Sequence, residues 1–179
     1  MLYVNHKEAL DLIYKHRFDR LESMLTELIT LINGVASISL DTRYKQYVRF
    51  YPKAWDVPAL QQANKGWTKS RLIVLFEFVN EPNELQLKLT LGPGPTEIRR
   101  RLFDLATRVQ PPFGPASIQD TSYTSLWTET MVSASLYSEG SHDELSKALI
   151  SSWDNFVGNS SNPSGLRLFT EAVCREFGI

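Results

Sequence analysis

Between Leu72 and Leu91 the chain reads LIVLFEFVNEPNELQLKLTL, and this pattern limits the fold more than any other stretch. Leu72 to Val79 is apolar at every position except Glu77, as expected of a strand covered on both faces and central in its sheet. Leu85, Leu87, Leu89 and Leu91 then alternate with Gln86, Lys88 and Thr90, the period of a half-buried strand. Asn80-Glu81-Pro82-Asn83 between them is turn chemistry, so the two runs predict an antiparallel hairpin joined by four turn residues. Glu77 needs an account of its own. A carboxylate in a central strand must be hydrogen-bonded, paired or in contact with water.

The flanking chain supplies helices and further strands. Residues 5–16 read as a helix capped by Asn5 with Glu8 three positions on, and Leu21, Met24, Leu25, Leu28, Ile29 and Ile32 give a second helix over 19–33. Asn33-Gly34 ends that helix. From Val35 the period becomes two: Ala36, Ile38 and Leu40 alternate with Ser37, Ser39 and Asp41. A strand over 45–52 places Val48 and Phe50 on one face, and Tyr47, Arg49 and Tyr51 on the other. Residues 53–70 form a loop with a short helical turn near Ala59 to Gln62. Gly92-Pro93-Gly94-Pro95 bends the chain into a helix that Thr96 or Gly94 can cap, and Pro111 to Pro115 closes it. A strand over 126–137 follows, then a helix introduced by the capping box Ser141 to Glu144, then a last helix from Asn162-Pro163 to about Phe177.

These elements predict an α+β fold: a mainly antiparallel sheet of about four or five strands, helices at both chain ends and one crossing helix. The chain reads as a single domain over 1–179, with a helical N-terminal part at 5–33, a sheet core at 35–109 and a C-terminal strand and helices at 126–177. A chain of 179 residues needs no disulfide or metal to hold such a core, since a domain near this length buries roughly 70% of its unfolded surface.

Charge is uneven along the chain. Residues 43–101 carry eleven Lys and Arg against five Asp and Glu, whereas residues 109–179 carry three against eight. A basic middle third points to an anionic partner. The lone Cys174 cannot form an internal bridge, the N-terminus carries Lys7, Glu8 and Asp11 where a signal peptide needs an apolar run, and no segment approaches a membrane span. A cytoplasmic protein without a membrane partner is the expectation.

One cysteine and the scattered His6, His16 and His142 exclude a Cys/His metal site by count, and no histidine lies in a recognisable nucleophile context. The Gly-Pro-Gly-Pro turn is not a P-loop, because its prolines remove the amide donors a phosphate cradle requires. A helix N-terminus beside Arg99, Arg100 and Arg101 suits an anion; a strand-to-helix turn that needs glycine for its geometry is the weightier reading. Glu77 with Gln86-Leu87-Lys88 matches the acidic residue plus (D/E/Q)-x-K arrangement of a Mg²⁺-dependent nuclease, in which Glu77 and Gln86 would hold the metal and Lys88 would polarise the attacking water. The same residues also suit ordinary polar positions of an alternating strand, and a cofactor is expected only under this alternative.

The segments YVRFYPKAW, GWTKSRLIVLFEFVN and LQLKLTLGPGPTEIRRRLF resemble the C-terminal region of a group of prokaryotic PD-(D/E)XK nuclease-superfamily proteins. The resemblance covers about residues 5–130, and GWTKS and the GPGP-to-arginine run are its most specific parts. It implies DNA-processing or defence-related nuclease activity for a longer protein whose nuclease core lies upstream of this region. The chain departs from that pattern in showing no clear core of its own, so family catalysis does not transfer.

The expected function is a non-catalytic nucleic-acid-binding or regulatory module associated with such a nuclease. Arg49, Lys53, Lys69, Arg99, Arg100 and Arg101 are the candidate phosphate contacts, and Tyr47, Tyr51 and Trp67 the candidate stacking residues. DNA or another nucleic acid, and a nuclease domain or subunit, are the implied partners. The alternatives are a divergent Mg²⁺-dependent nuclease using Glu77, Gln86 and Lys88, and a protein-interaction domain using the acidic C-terminal third. Basic residues dispersed over several faces would favour the last.

Overall fold

Five strands form one sheet in the order of the sequence, each antiparallel to the next, in a computed structural model that describes residues 20–63, 66–109, 123–158 and 165–179. The order is helix α1 (Arg20–Asn33), strands β1 (Ile38–Arg43) and β2 (Tyr47–Pro52), a 3₁₀ turn over Lys53–Trp55, and strands β3 (Val74–Glu81) and β4 (Glu84–Leu91). Helix α2 (Thr96–Arg108) crosses to β5 (Thr124–Val132), and helices α3 (Ala134–Glu139), α4 (His142–Val157) and α5 (Gly165–Phe177) complete the chain. The fold is α+β as the pattern predicts. The helix expected over 5–16 and the proline-rich segment 111–115 lie outside the described residues.

The central hairpin takes shape from its own alternation. In β3, Val74, Phe76, Phe78 and Asn80 lie opposite Leu91, Leu89, Leu87 and Leu85 of β4. Val48 and Phe50 of β2 continue that row on the other side. This face is the core. Phe50 stacks on Phe76 at 5.5 Å between ring centroids, Trp55 stacks on Phe76 at 5.7 Å, and the edge of Phe156 meets Phe76 at 5.1 Å. Buried residues of α1 (Met24, Leu28, Ile32), α2 (Leu102, Leu105, Ala106), α4 (Leu149, Trp153, Phe156) and α5 (Phe169, Val173) close over it. Aromatic pairs at such separations add to the area term.

Several boundaries differ from the sequence expectation, each for a physical reason. Glu81 pairs with Glu84, so the β3–β4 turn is the two residues Pro82 and Asn83, and Asn80 belongs to the strand. Fully buried Asn80 donates through Nδ2 to the carbonyls of Leu21 (3.0 Å) and Lys45 (2.9 Å) and accepts from the Tyr137 hydroxyl (2.5 Å). A turn-type residue is thereby used as a satisfied buried amide. The β1 register shifts between Leu40 and Thr42, which sets Thr42 opposite Arg49, while Asp41 accepts from the amides of Lys69 (3.2 Å) and Ser70 (2.8 Å). Strand β5 stops at Val132 because the Ser133 side chain caps α3, so Tyr137 is helical and not in a strand extending to 137. The 53–70 loop holds a 3₁₀ turn at Lys53–Trp55, and a second helical turn follows near the expected Ala59 to Gln62, where the amides of Leu60 (3.0 Å) and Gln61 (3.1 Å) donate to the Val57 carbonyl. The capping box at Ser141 and Glu144 is present in full.

Neither Thr96 nor Gly94 caps α2: the cap position is Pro95, with no side-chain bond. The glycines of this corner answer to packing. A Cβ on Gly92 would lie 2.1 Å from the Trp67 ring, and one on Gly94 would lie 2.4 Å from Ile73 Cδ1. Arg99, in the first turn of α2, is 1% exposed and donates back to the Gly92 carbonyl and to Thr124 Oγ1 (3.3 Å). The corner is thus clamped from both sides.

Candidate functional site

The face of the sheet opposite the helices is built from the alternate residues of the same strands. Its central row follows from register: Thr42 of β1 opposes Arg49, Arg49 opposes Glu77, Glu77 opposes Lys88, and Lys88 opposes Thr128. This answers the question of Glu77. Its carboxylate, in a residue 8% exposed, accepts from Arg49 Nε at 2.5 Å. A second Arg49 nitrogen, Nη1, donates to the Trp67 carbonyl at 3.0 Å.

Trp67 covers one end of this face. Its ring packs with Ala63 and Leu75, against Gly92, and its centroid is 5.7 Å from the Tyr123 ring. The Arg49 guanidinium lies 5.9 Å from the Trp67 centroid and 5.9 Å from the Tyr47 centroid, between two π faces. Next to Trp67, Tyr51 is half-buried. Burial, followed by the nearby carboxylate of Asp56, pushes its phenol above the ordinary value, so it is a neutral hydroxyl at physiological pH.

The other end is the β1–β2 turn. Tyr44 and Tyr47 exchange both main-chain hydrogen bonds, 2.8 Å from Tyr44 N and 3.1 Å from Tyr47 N. As directly opposed residues of an antiparallel pair, they project from the same side of the hairpin. Both rings are open to solvent, 60% exposed for Tyr44 and 38% for Tyr47. The turn beneath them is fixed, because Asn80 holds the carbonyl of Lys45 through its side chain and that of Gln46 through its amide (2.8 Å). Arg43 leaves on the helix side, where with Glu22, Leu25, Thr26, Ile29 and Thr30 it lines an open groove of about 470 Å³.

The sequence candidates therefore separate into two groups. Arg49, Trp67, Arg99 and Arg101 make contacts within the chain; Arg101 donates to the Glu176 carbonyl (2.7 Å) and lies 4.3 Å from the Phe177 ring centroid. Tyr47, Lys53, Lys69 and Arg100 are exposed. They do not form one patch: Lys53 is on the 3₁₀ turn beside α5, Lys69 on the loop over Asp41, and Arg100 on α2. For the nuclease alternative, Glu77 and Lys88 are directly opposed, and Gln86 is on the same face. Glu77 is paired with Arg49, and the Gln86 amide donates to Glu84 Oε2 at 3.0 Å. No group of three or more metal-ligating side chains occurs among the described residues.

No family model, curated protein or solved structure matches this chain. No helix among the described residues is long and apolar enough to cross a membrane.

Tyr44, Thr42 and Asp41 were not among the sequence candidates. A usable signal for Tyr44 lies in RYKQY, where two polar residues separate a pair of tyrosines between alternating strands. Thr42 gives none, because a one-residue bulge decides which way it faces; Asp41 falls on the polar side of the alternation, and its partners are 28 and 29 residues away.

Proposed function

We propose that this domain is a non-catalytic nucleic-acid-binding module that works beside a PD-(D/E)XK-type nuclease. The observation that carries the reading is the rigid β1–β2 turn, which holds two exposed tyrosines beside an arginine on a face with Lys88 and the Lys69 loop nearby. Aromatic rings with interleaved cations are the ingredients of nucleic-acid contact. The residues behind the nuclease resemblance support the non-catalytic part. Trp67, Gly92 and Arg99 lock together as framework, and Glu77 and Gln86 are each held by another side chain.

Binding of labelled DNA measured across a salt series tests this reading. Affinity should fall steeply with salt, because each neutralised phosphate releases counterions. Absence of binding at every salt concentration would remove the proposal.

A second reading has its own observation. Lys53, Lys69 and Arg100 belong to different elements, a dispersal that favours a protein-interaction domain. Under that reading a nuclease subunit binds the domain while free DNA does not. The catalytic alternative predicts Mg²⁺-dependent DNA cleavage that Lys88→Ala abolishes.

A further inference from the structure

Among the described residues, three buried side-chain polar atoms have no hydrogen-bond partner: Thr42 Oγ1 and the indole nitrogens of Trp55 and Trp67. Two of the three belong to residues beside Arg49. Thr42 is only 5% exposed and directly opposes Arg49 across β1 and β2, while Trp67 lies against the Arg49 guanidinium. Both atoms are closed off from solvent, so the polar group of this cluster that a ligand can reach is Arg49 itself.

Arg49 is also under-used. A guanidinium carries five N–H donors, and here one reaches Glu77 and one the Trp67 carbonyl. The remaining three have no partner among the described residues. The row Arg49, Glu77, Lys88 has two cations against one carboxylate, and Lys88 makes no hydrogen bond or ion pair within the described residues. Asp41, the next carboxylate along β1, is occupied by the amides of Lys69 and Ser70. Glu81 and Glu84 bound the site on the side of the β3–β4 turn.

Resting on the nucleic-acid reading above, we infer that the face takes a single strand and not a duplex. Unpaired bases stack on Tyr44 and Tyr47, while one phosphate accepts from the free Arg49 donors. The two rings leave the same side of a rigid turn and Tyr47 adjoins the guanidinium, so a base and its own phosphate can be met together. A duplex hides its base faces, and the solvent-facing cations among the described residues are too scattered to follow two backbones. The strand therefore enters over the tyrosine pair and places its phosphate at the open edge of the Arg49 guanidinium.

Fluorescence anisotropy with a short labelled oligodeoxythymidylate and with a duplex of equal length tests the inference at two salt concentrations. The single strand is expected to bind at least about tenfold more tightly. Tyr44→Ala and Tyr47→Ala should each weaken it about tenfold, in line with the usual value of base stacking, while Tyr47→Phe retains affinity. Both tyrosines are exposed, so their variants keep the fold, and circular dichroism checks this. Duplex binding as tight as single-strand binding, or tyrosine variants that bind like the parent, overturns the inference and leaves the nucleic-acid reading standing. Failure of both probes to bind removes both.

Discussion

The two faces of the sheet come from the same five strands and hold together by different means. On one, Phe50, Phe76, Phe78 and the leucines of β4 are sealed by helices, and cohesion is apolar contact in every direction. On the other, an ion pair, a tryptophan and a few threonines do the work over a smaller area. Apolar packing sums many small contacts, so no single partner decides it. A half-buried ion pair depends on both members being present. The helix-covered face accordingly sets global stability, and the opposite face sets local order around the tyrosine turn.

Truncation at the centre of the covered face should have the largest effect. Phe76 touches Phe50, Trp55 and Phe156, so Phe76→Ala should cost about 4 kcal/mol in denaturant unfolding, the usual range for a buried phenylalanine. A loss below about 1 kcal/mol would mean that this face is looser than its ring contacts imply. On the opposite face, Glu77→Leu strands the Arg49 guanidinium beside Trp67 and should cost about 3 kcal/mol. The double variant Arg49→Met, Glu77→Leu should recover most of that loss, since it removes both charges together. If the two single losses simply add, the pair is not coupled and the contrast between the faces fails.

Gly92→Ala probes where the two faces meet. The new Cβ would lie 2.1 Å from the Trp67 ring, so the ring must move. The expected cost is about 2 kcal/mol, in the range of overpacking substitutions. Proton resonances of the Trp67 indole and of Tyr51 should shift, while those of Phe50 and Phe78 stay in place. Shifts spread equally over both faces would show that they are not independent.

How far the sequence revealed these faces depends on the range of the interaction that decides each feature. The β3–β4 hairpin was legible because a period-two pattern is local, and so was the Ser141 capping box, whose partners are three residues apart. The carboxylate of Glu77 could be seen to need a partner, but Arg49 is 28 residues away and becomes its partner only through the β2–β3 register. Gly92 and Gly94 read as bend residues. Their actual constraint is the closeness of Trp67 and Ile73, which no spacing rule encodes. That Arg99, Arg100 and Arg101 cannot all point one way is legible in the sequence. Successive residues on a helix diverge by 100 degrees, and so Arg99 is buried, Arg100 exposed and Arg101 laid against Phe177. The β1 bulge placed Thr42 against the simple alternation, which brings it beside Arg49.

The smallest expected effect tests how firmly the helix layer closes the covered face. Cys174 is on α5, partly buried against the core. Burial, with the Glu171 carboxylate adding to it, pushes its thiol above the ordinary value. Because the thiolate is the reacting species, a raised value means a smaller reactive fraction at any given pH. Iodoacetamide should therefore modify Cys174 more slowly at pH 8 than it modifies a free cysteine, and the rate should go on rising at pH values where a free thiol has levelled off. Mild urea, below the unfolding transition, should leave the rate nearly unchanged if α5 stays docked. A rate equal to that of free cysteine would mean that α5 opens readily. The covered face would then owe its stability to α1, α2 and α4, and Phe76→Ala would be expected to cost the same whether or not α5 is in place.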